Sequence, residues 1–224
     1  MKTALNLYQY VAPAVLAPVS FLLWQREYAG DLKLTAAAWL VPMLWAYIVP
    51  GIGTNVLKMW EFDTRLRLGR FRPHHGFVFG SATAMIAWVV HAGPAQDVYD
   101  VVREGLVLAS LLGFVNLLYD IEALKAGILI VYNEPWARGE SAEAIAMDYA
   151  PWFFGGFGAV YGAGLAAMER LHADGALSLS VFLGAFTLVL SLAIVLPTAG
   201  YVLQSRHRYG HWGTRPIAKR CRNV

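Results

Sequence analysis

Cysteine is nearly absent from this sequence, and Cys221, the only one among 224 residues, excludes an intrachain disulfide. Charged residues are also scarce at 15% of the chain, whereas soluble proteins contain roughly 25%. The apolar fraction is 58%, which is more apolar surface than one core of a chain this size buries in water. A lipid solvent removes that conflict. The composition therefore predicts an integral membrane protein.

Several common catalytic motifs are missing from the sequence. It contains no phosphate-binding loop, dinucleotide fingerprint, nucleophile elbow or zinc-binding helix motif. The six histidines lack the clustered short spacings that a membrane di-iron oxygenase requires. His74 and His75, which follow Pro73 beside a group of arginines, are expected at the membrane interface. We therefore predict neither a metal nor an organic cofactor.

Six apolar stretches approach the ~20 residues that a membrane-spanning helix needs. Pro42, Pro50, Gly51 and Gly53 interrupt the second stretch, so we expect it to kink or to end early. The sequence predicts an all-α, polytopic helix bundle of about six transmembrane helices, at Leu7–Trp24, Leu34–Trp60, Gly76–His91, Gly105–Tyr132, Tyr149–Met168 and Leu177–Leu203.

Arginine and lysine collect at 65–72 and at 206–222, each time directly after a long apolar run. Basic residues beside spans stay on the cytoplasmic side, so an even number of spans with both termini in the cytoplasm is predicted. Nucleic-acid binding is the competing interpretation of a basic cluster, and the neighbouring spans disfavour it. We expect a single transmembrane helical domain at 1–205 and a basic cytoplasmic tail at 206–224.

Charged residues inside a span are costly, so each needs a reason. Asn116 and Asp120 are four residues apart and share one helix face, whereas Glu122 and Lys125 are three apart and can pair. We expect Asp120 and Asn116 to form a polar stripe that faces the bundle interior. Alternatively, the helix leaves the membrane near Asp120 and all four side chains are solvated.

A second polar group lies at the cytoplasmic end of the second predicted span. Lys58 and Glu61 are three residues apart and either pair at the interface or leave Glu61 free for function. Both polar groups are expected on the cytoplasmic side, where one cavity would collect Glu61 and Asp120 as catalytic carboxyls. Expected substrate-binding residues are Asn55, Trp60, Asn116, Glu122 and Lys125.

Small residues recur in the fifth predicted span. Gly158 and Gly162 are four residues apart, a spacing typical of close helix packing. The alternative is that these glycines form the wall of a groove for a flat lipid or another ligand.

Four residues separate Asn55 from Trp60-Glu61-Phe62, and Arg138-Gly139-Glu140-Ser141 precedes the glycine-rich span. In these features the chain resembles the membrane-bound terpene cyclases of meroterpenoid pathways, over about a quarter of its length. The resemblance implies that Glu61 helps to protonate an epoxide or an alkene. Those cyclases separate the asparagine from the tryptophan by two residues, and they carry a second acid where this chain has Pro197 and Thr198.

The leading functional hypothesis is an integral membrane enzyme that acts on an isoprenoid or lipid substrate by carboxylic acid–base catalysis. Terpene cyclisation is the reaction that the resemblance implies. One alternative is a small transporter or proton-coupled carrier in which Asp120 and Lys125 line the pathway. Another is a non-catalytic subunit or assembly factor with partner subunits. The expected partners are the bilayer and a lipophilic small molecule, and not nucleic acid.

Overall fold

The computed structural model describes residues 2–219. Arg220, Cys221 and Arg222, which belong to the predicted tail, lie outside this range. Within it the chain forms eight helices and one two-stranded ribbon: α1 Lys2–Glu27, α2 Leu32–Val56, β1 Trp60–Phe62, α3 His75–Val90, α4 Val98–Lys125, β2 Leu129–Val131, α5 Glu134–Ala137, α6 Ala142–Met147, α7 Pro151–Gly156 continued by Phe157–Ala173, and α8 Leu179–Tyr209.

Four of these helices, α1, α2, α4 and α8, are long and apolar enough to cross a membrane. Helix α3 is apolar but shorter. The prediction of a mostly helical chain whose helices can span a membrane is therefore confirmed. Helices α4 and α7 pack along their lengths, and the main apolar core includes Leu108 and Leu112 of α4 and Phe157 and Tyr161 of α7.

Helix α2 ends before Trp60, as its prolines and glycines predict. Regular α-helix stops at Gly51, and a π-helical turn, Ile52–Val56, follows. Two similar π turns occur elsewhere, at Ala12–Leu16 within α1 and at Pro151–Gly156 at the start of α7. The prediction that the second helix continues to Trp60 is wrong, because the chain turns after Val56 and enters a strand.

The ribbon joins the end of the second predicted span, at Trp60, to a segment that was predicted to be part of the fourth span. Strands β1 and β2 are antiparallel, and Glu61 is opposite Ile130 in their register. Helix α4 therefore ends at Lys125 and does not continue to Tyr132. Gly127, with a φ of 69°, supplies the left-handed conformation between α4 and β2.

The glycines of α7 allow its close contact with α4, as predicted. A Cβ atom at Gly158 would lie 2.5 Å from the carbonyl oxygen of Leu108, and one at Gly162 would lie 2.6 Å from that of Glu104. Both neighbours are backbone atoms, so neither can rotate out of the way. The interpretation of this pattern as close helix packing is confirmed.

Helix α8 extends beyond the predicted end of the last span. It continues to Tyr209, and Gly210 ends it in the left-handed conformation, with a φ of 77°. The described part of the tail then folds back, since the backbone N–H of Ile217 donates to the carbonyl of Tyr132 at 2.9 Å. The first residues of the predicted tail are therefore helical, and later ones pack beside the ribbon.

Candidate functional site

A cavity of about 290 Å³ lies where the ribbon meets the C-terminal halves of α2, α4 and α8 and the N-terminal ends of α3 and α7. Its size is at the lower end of the ~300–1,000 Å³ that small-molecule sites occupy. Most of its wall is apolar and aromatic, including Trp45, Phe79, Val115, Phe154 and Ile194. A lipophilic compound fits such a wall, because burying apolar surface is the main favourable term.

Asp120 is the only carboxyl in the wall of this cavity among the described residues. Tyr149 donates its hydroxyl hydrogen to Oδ2 of Asp120 at 2.7 Å, and Oδ1 has no hydrogen-bond partner in residues 2–219. Asn116 lines the cavity one turn earlier on α4 and donates to the carbonyl of Leu112 at 2.9 Å. The predicted polar stripe of Asp120 and Asn116 therefore faces the interior.

Glu122 and Lys125 lie outside the cavity, although they form the predicted pair. Lys125 Nζ is 3.6 Å from Glu122 and 2.6 Å from Glu143 of α6. The hydrogen bond from Lys125 lowers the pKa of Glu143 to about 2. The side chains are well exposed, so this ion pair ties α4 to α6 at the surface and contributes little to stability. Neither Glu122 nor Lys125 is placed to contact a ligand in the cavity.

Glu61 also lies outside the cavity, because successive strand residues point to opposite faces. Trp60 and Phe62 line the cavity and Glu61 does not. Its carboxylate accepts a hydrogen bond from the Tyr132 hydroxyl and lies 3.7 Å from Arg70. Burial of Tyr132, together with this bond, raises the tyrosine pKa to about 12.

Two expectations about Glu61 are therefore wrong. Its ionic partner is Arg70, whose guanidinium donates to the carbonyl of Lys58, so the predicted Lys58–Glu61 pair is not formed. The predicted common cavity contains Asp120 and lacks Glu61.

Asn55 and Trp60 have different positions relative to the cavity. Asn55 lies outside it and supports the turn before α3: its amide donates to the carbonyl of Leu68 at 3.2 Å and accepts from the backbone N–H of Arg70 at 2.9 Å. Trp60 lines the cavity, and its ring occupies the space beside Gly53, where an added Cβ would lie 1.9 Å from it. Trp60 is therefore part of the cavity wall, and its role in substrate binding stays a prediction.

The polar residues of the cavity that were not predicted include Arg72, His75 and Tyr149. Arg72 is only 2% exposed, and its Nε–H donates to Nδ1 of His75 at 2.9 Å. Its guanidinium also stacks 4.7 Å above the ring of Phe62. The sequence did show Arg72 and His75 on either side of Pro73, at the entrance to a predicted span. That position favoured a location at the membrane interface and not in a cavity.

A second polar cluster lies at the opposite end of the bundle. Glu169 accepts hydrogen bonds from the Tyr28 hydroxyl and from Nε2 of His91, the latter at 2.9 Å, and Glu27 lies 3.4 Å from Nδ1 of His91. Burial of His91 lowers its pKa, but the bond to Glu169 and the nearby carboxylates outweigh burial and raise the pKa overall. Within residues 2–219, no group of three or more metal-ligating side chains is arranged to hold a metal ion.

Comparison with protein-family models, with curated proteins and with solved structures gives no match. The resemblance to membrane-bound terpene cyclases therefore stays a prediction based on the residues quoted above. The chemistry of the site follows from the side chains that line the cavity.

Proposed function

We propose that this chain is an integral membrane enzyme that binds a lipophilic small molecule in the cavity and uses Asp120 as a general acid. The observation that carries this proposal is a single carboxyl, hydrogen-bonded by Tyr149, in the wall of an otherwise apolar and aromatic cavity. Intramembrane carboxyls are expensive and usually functional. A structural role alone does not require that the carboxyl line a cavity.

The arrangement suits proton transfer to a weakly basic substrate. Apolar surroundings favour the neutral form of a carboxyl, which is the form that can donate a proton. Tyr149 occupies Oδ2, so Oδ1 is the oxygen available for transfer. The O–H bond at Oδ1 of Asp120 breaks as the hydrogen forms a new bond to the substrate. The Asp120 carboxylate recovers a proton when the rearranged product loses one. Such a sequence describes an isomerisation or a cyclisation without any external oxidant or reductant.

The aromatic wall supports this class of chemistry. Trp45, Phe79 and Phe154 line the cavity, and ring faces stabilise a developing positive charge. Protonation of an alkene or an epoxide produces such a charge on carbon. An isoprenoid substrate, as the terpene cyclase resemblance implies, is therefore the class that we propose first.

We also propose that six helices span the membrane, with both termini in the cytoplasm. Helices α3 and α7 would join the four long apolar helices to give an even number. This arrangement puts the 65–72 segment and the end of α8 on one side, as the distribution of basic residues predicts. The cavity would then lie in the cytoplasmic half of the bundle.

Single-cysteine labelling tests this topology in a chain whose Cys221 has been replaced by serine. Leu66→Cys and Ala218→Cys are expected to react with an impermeant thiol reagent only after cells are permeabilised, because both positions should be cytoplasmic. Gln96→Cys, between α3 and α4, should react in intact cells. All three residues are exposed, and none has the positive φ that makes Gly69 unsuitable. Labelling of Leu66→Cys and Ala218→Cys from opposite sides would contradict an even number of spans.

A second candidate function, a proton-coupled carrier, is favoured by the buried cluster of Tyr28, His91 and Glu169 at the end opposite the cavity. Lys125, which was expected to line the pathway with Asp120, lies outside the cavity. Proteoliposomes distinguish the two functions. Uptake that is driven by a pH gradient and lost in Glu169→Gln would favour the carrier, whereas turnover without uptake would favour the enzyme.

A further inference from the structure

Arg72 is a buried cation without an anionic partner in the described part of the chain, residues 2–219. Two other arginines of this segment have carboxylate partners, since Arg67 lies 3.9 Å from Asp63 and Arg70 lies 3.7 Å from Glu61. Arg72 forms no ion pair within residues 2–219, although it is only 2% exposed. A buried guanidinium normally needs a paired anion, because removing its charge from water is energetically costly. Something other than a side chain of the described chain is therefore expected to neutralise it.

The polar groups of Arg72 and His75 that have no hydrogen-bond partner are N–H donors. The Nε–H of Arg72 is used by Nδ1 of His75, and neither Nη group has a hydrogen-bond partner among the described residues. Because Nδ1 of His75 accepts this hydrogen bond, the neutral ring carries its hydrogen on Nε2, which also has no described partner. Both side chains line the cavity. The unused groups are thus all donors, and they match an oxyanion.

The other charged and titratable side chains near Arg72 do not pair with its guanidinium. Asp120 lines the same cavity, but it forms no ion pair with Arg72. His74 lies beside Gln9 of α1, at 3.3 Å, and Tyr8 donates to the carbonyl of Val78. None of these side chains supplies a carboxylate at hydrogen-bond distance from the guanidinium.

We propose that Arg72 and His75 form an anion-binding subsite, and that the ligand is an amphiphile with a carboxylate or phosphate group on a hydrocarbon body. Guanidinium groups bind both kinds of oxyanion through paired N–H donors. The apolar wall takes the hydrocarbon body, and the charged end fixes its orientation relative to Asp120. This inference rests on the proposed function, since it names the substrate class of the same cavity.

Brominated probes that differ only in their polar end test the subsite. The protein is placed in nanodiscs of uncharged phosphatidylcholine and titrated with 11-bromoundecanoate, 11-bromoundecyl phosphate or 11-bromoundecanol. Bromine quenches tryptophan on contact, and Trp45 and Trp60 line the cavity. We expect the two anionic probes to bind about tenfold or more tightly than the alcohol. In Arg72→Met this preference should disappear, while binding of the alcohol is retained.

Matched variants and competitors make the result decisive. Arg67→Met removes an exposed arginine of the same segment and should leave the preference intact, whereas Arg72→Lys keeps the charge and should retain part of it. Competition by inorganic phosphate or acetate at similar concentrations would show that free anions, and not amphiphiles, are the ligands. If Arg72→Met and Arg72→Lys both fold and keep the full preference for the acid, the subsite does not exist.

Failure of this inference is separable from failure of the enzymatic proposal, because binding is measured without turnover. Asp120→Asn should keep the preference for anionic probes even if it is inactive. A protein that prefers the acid but catalyses nothing would support the subsite and contradict only the proposed reaction.

Discussion

Asp120→Asn is expected to reduce turnover of a lipophilic substrate by about 10²–10⁴-fold, because an amide has no acidic proton to donate in the transition state. The substitution preserves the shape of the side chain, and the amide oxygen of asparagine can still accept a hydrogen bond from the Tyr149 hydroxyl. Tyr149→Phe should have a smaller effect, about tenfold, since it removes only the group that orients the acid. Product formation from prenyl alcohols, epoxides and prenyl acids in nanodiscs, followed by mass spectrometry, provides the measurement.

The control is Asp174→Asn, the same chemical change at an exposed residue that pairs with Arg170 at the opposite end. It should leave turnover unchanged. Glu61→Gln separates the two candidate acids. A loss in Glu61→Gln together with full turnover in Asp120→Asn would support the role that the terpene cyclase resemblance assigns to Glu61, and would reject Asp120 as the donor.

The second large effect is expected at the contact between α4 and α7. Gly158→Ala and Gly162→Ala should each lower the free energy of unfolding by about 1–3 kcal/mol, because an added methyl group overpacks a tight contact. The new Cβ would lie 2.5 Å and 2.6 Å, respectively, from backbone carbonyl oxygens of α4. Thermal unfolding in mild detergent, followed by circular dichroism, gives the change.

Gly184→Ala in α8 is the matched control, because no heavy atom lies within 4 Å of the Cβ that it adds. It should leave stability unchanged or raise it slightly, since alanine has the higher helix propensity. Equal stability of Gly158→Ala, Gly162→Ala and Gly184→Ala would contradict the close approach of α4 and α7.

The helical part of this fold was predictable because its signal is local. Hydropathy identified the long apolar helices, and the prolines and glycines near Pro50 indicated where α2 ends. The polar stripe on α4 followed from the four-residue spacing of Asn116 and Asp120. These inferences need only neighbouring residues and the period of the helix.

The ribbon and the basic part of the cavity could not be predicted, because they depend on contacts between residues that are distant in the sequence. Glu61 is paired with Ile130, which is distant in the sequence, and three-residue strands have too few side chains to show an alternating pattern. Arg72 belongs to a cluster whose other arginines remain outside, and only the folded loop separates it from them. The hydrogen bond from Tyr149 to Asp120 likewise joins two different helices.

The π turns have an evolutionary consequence. A π turn places one more residue in the helix than the same turn of α-helix would contain, and single-turn π-bulges are frequent at functional sites. The turns at Ile52–Val56 and Pro151–Gly156 both contribute to the cavity wall. Losing one residue at either place would restore regular α-helix and change the turn that lines the cavity, while the remainder of the helix keeps its orientation. Relatives with single-residue gaps at these positions are therefore expected to keep the bundle and to have cavities of different shape.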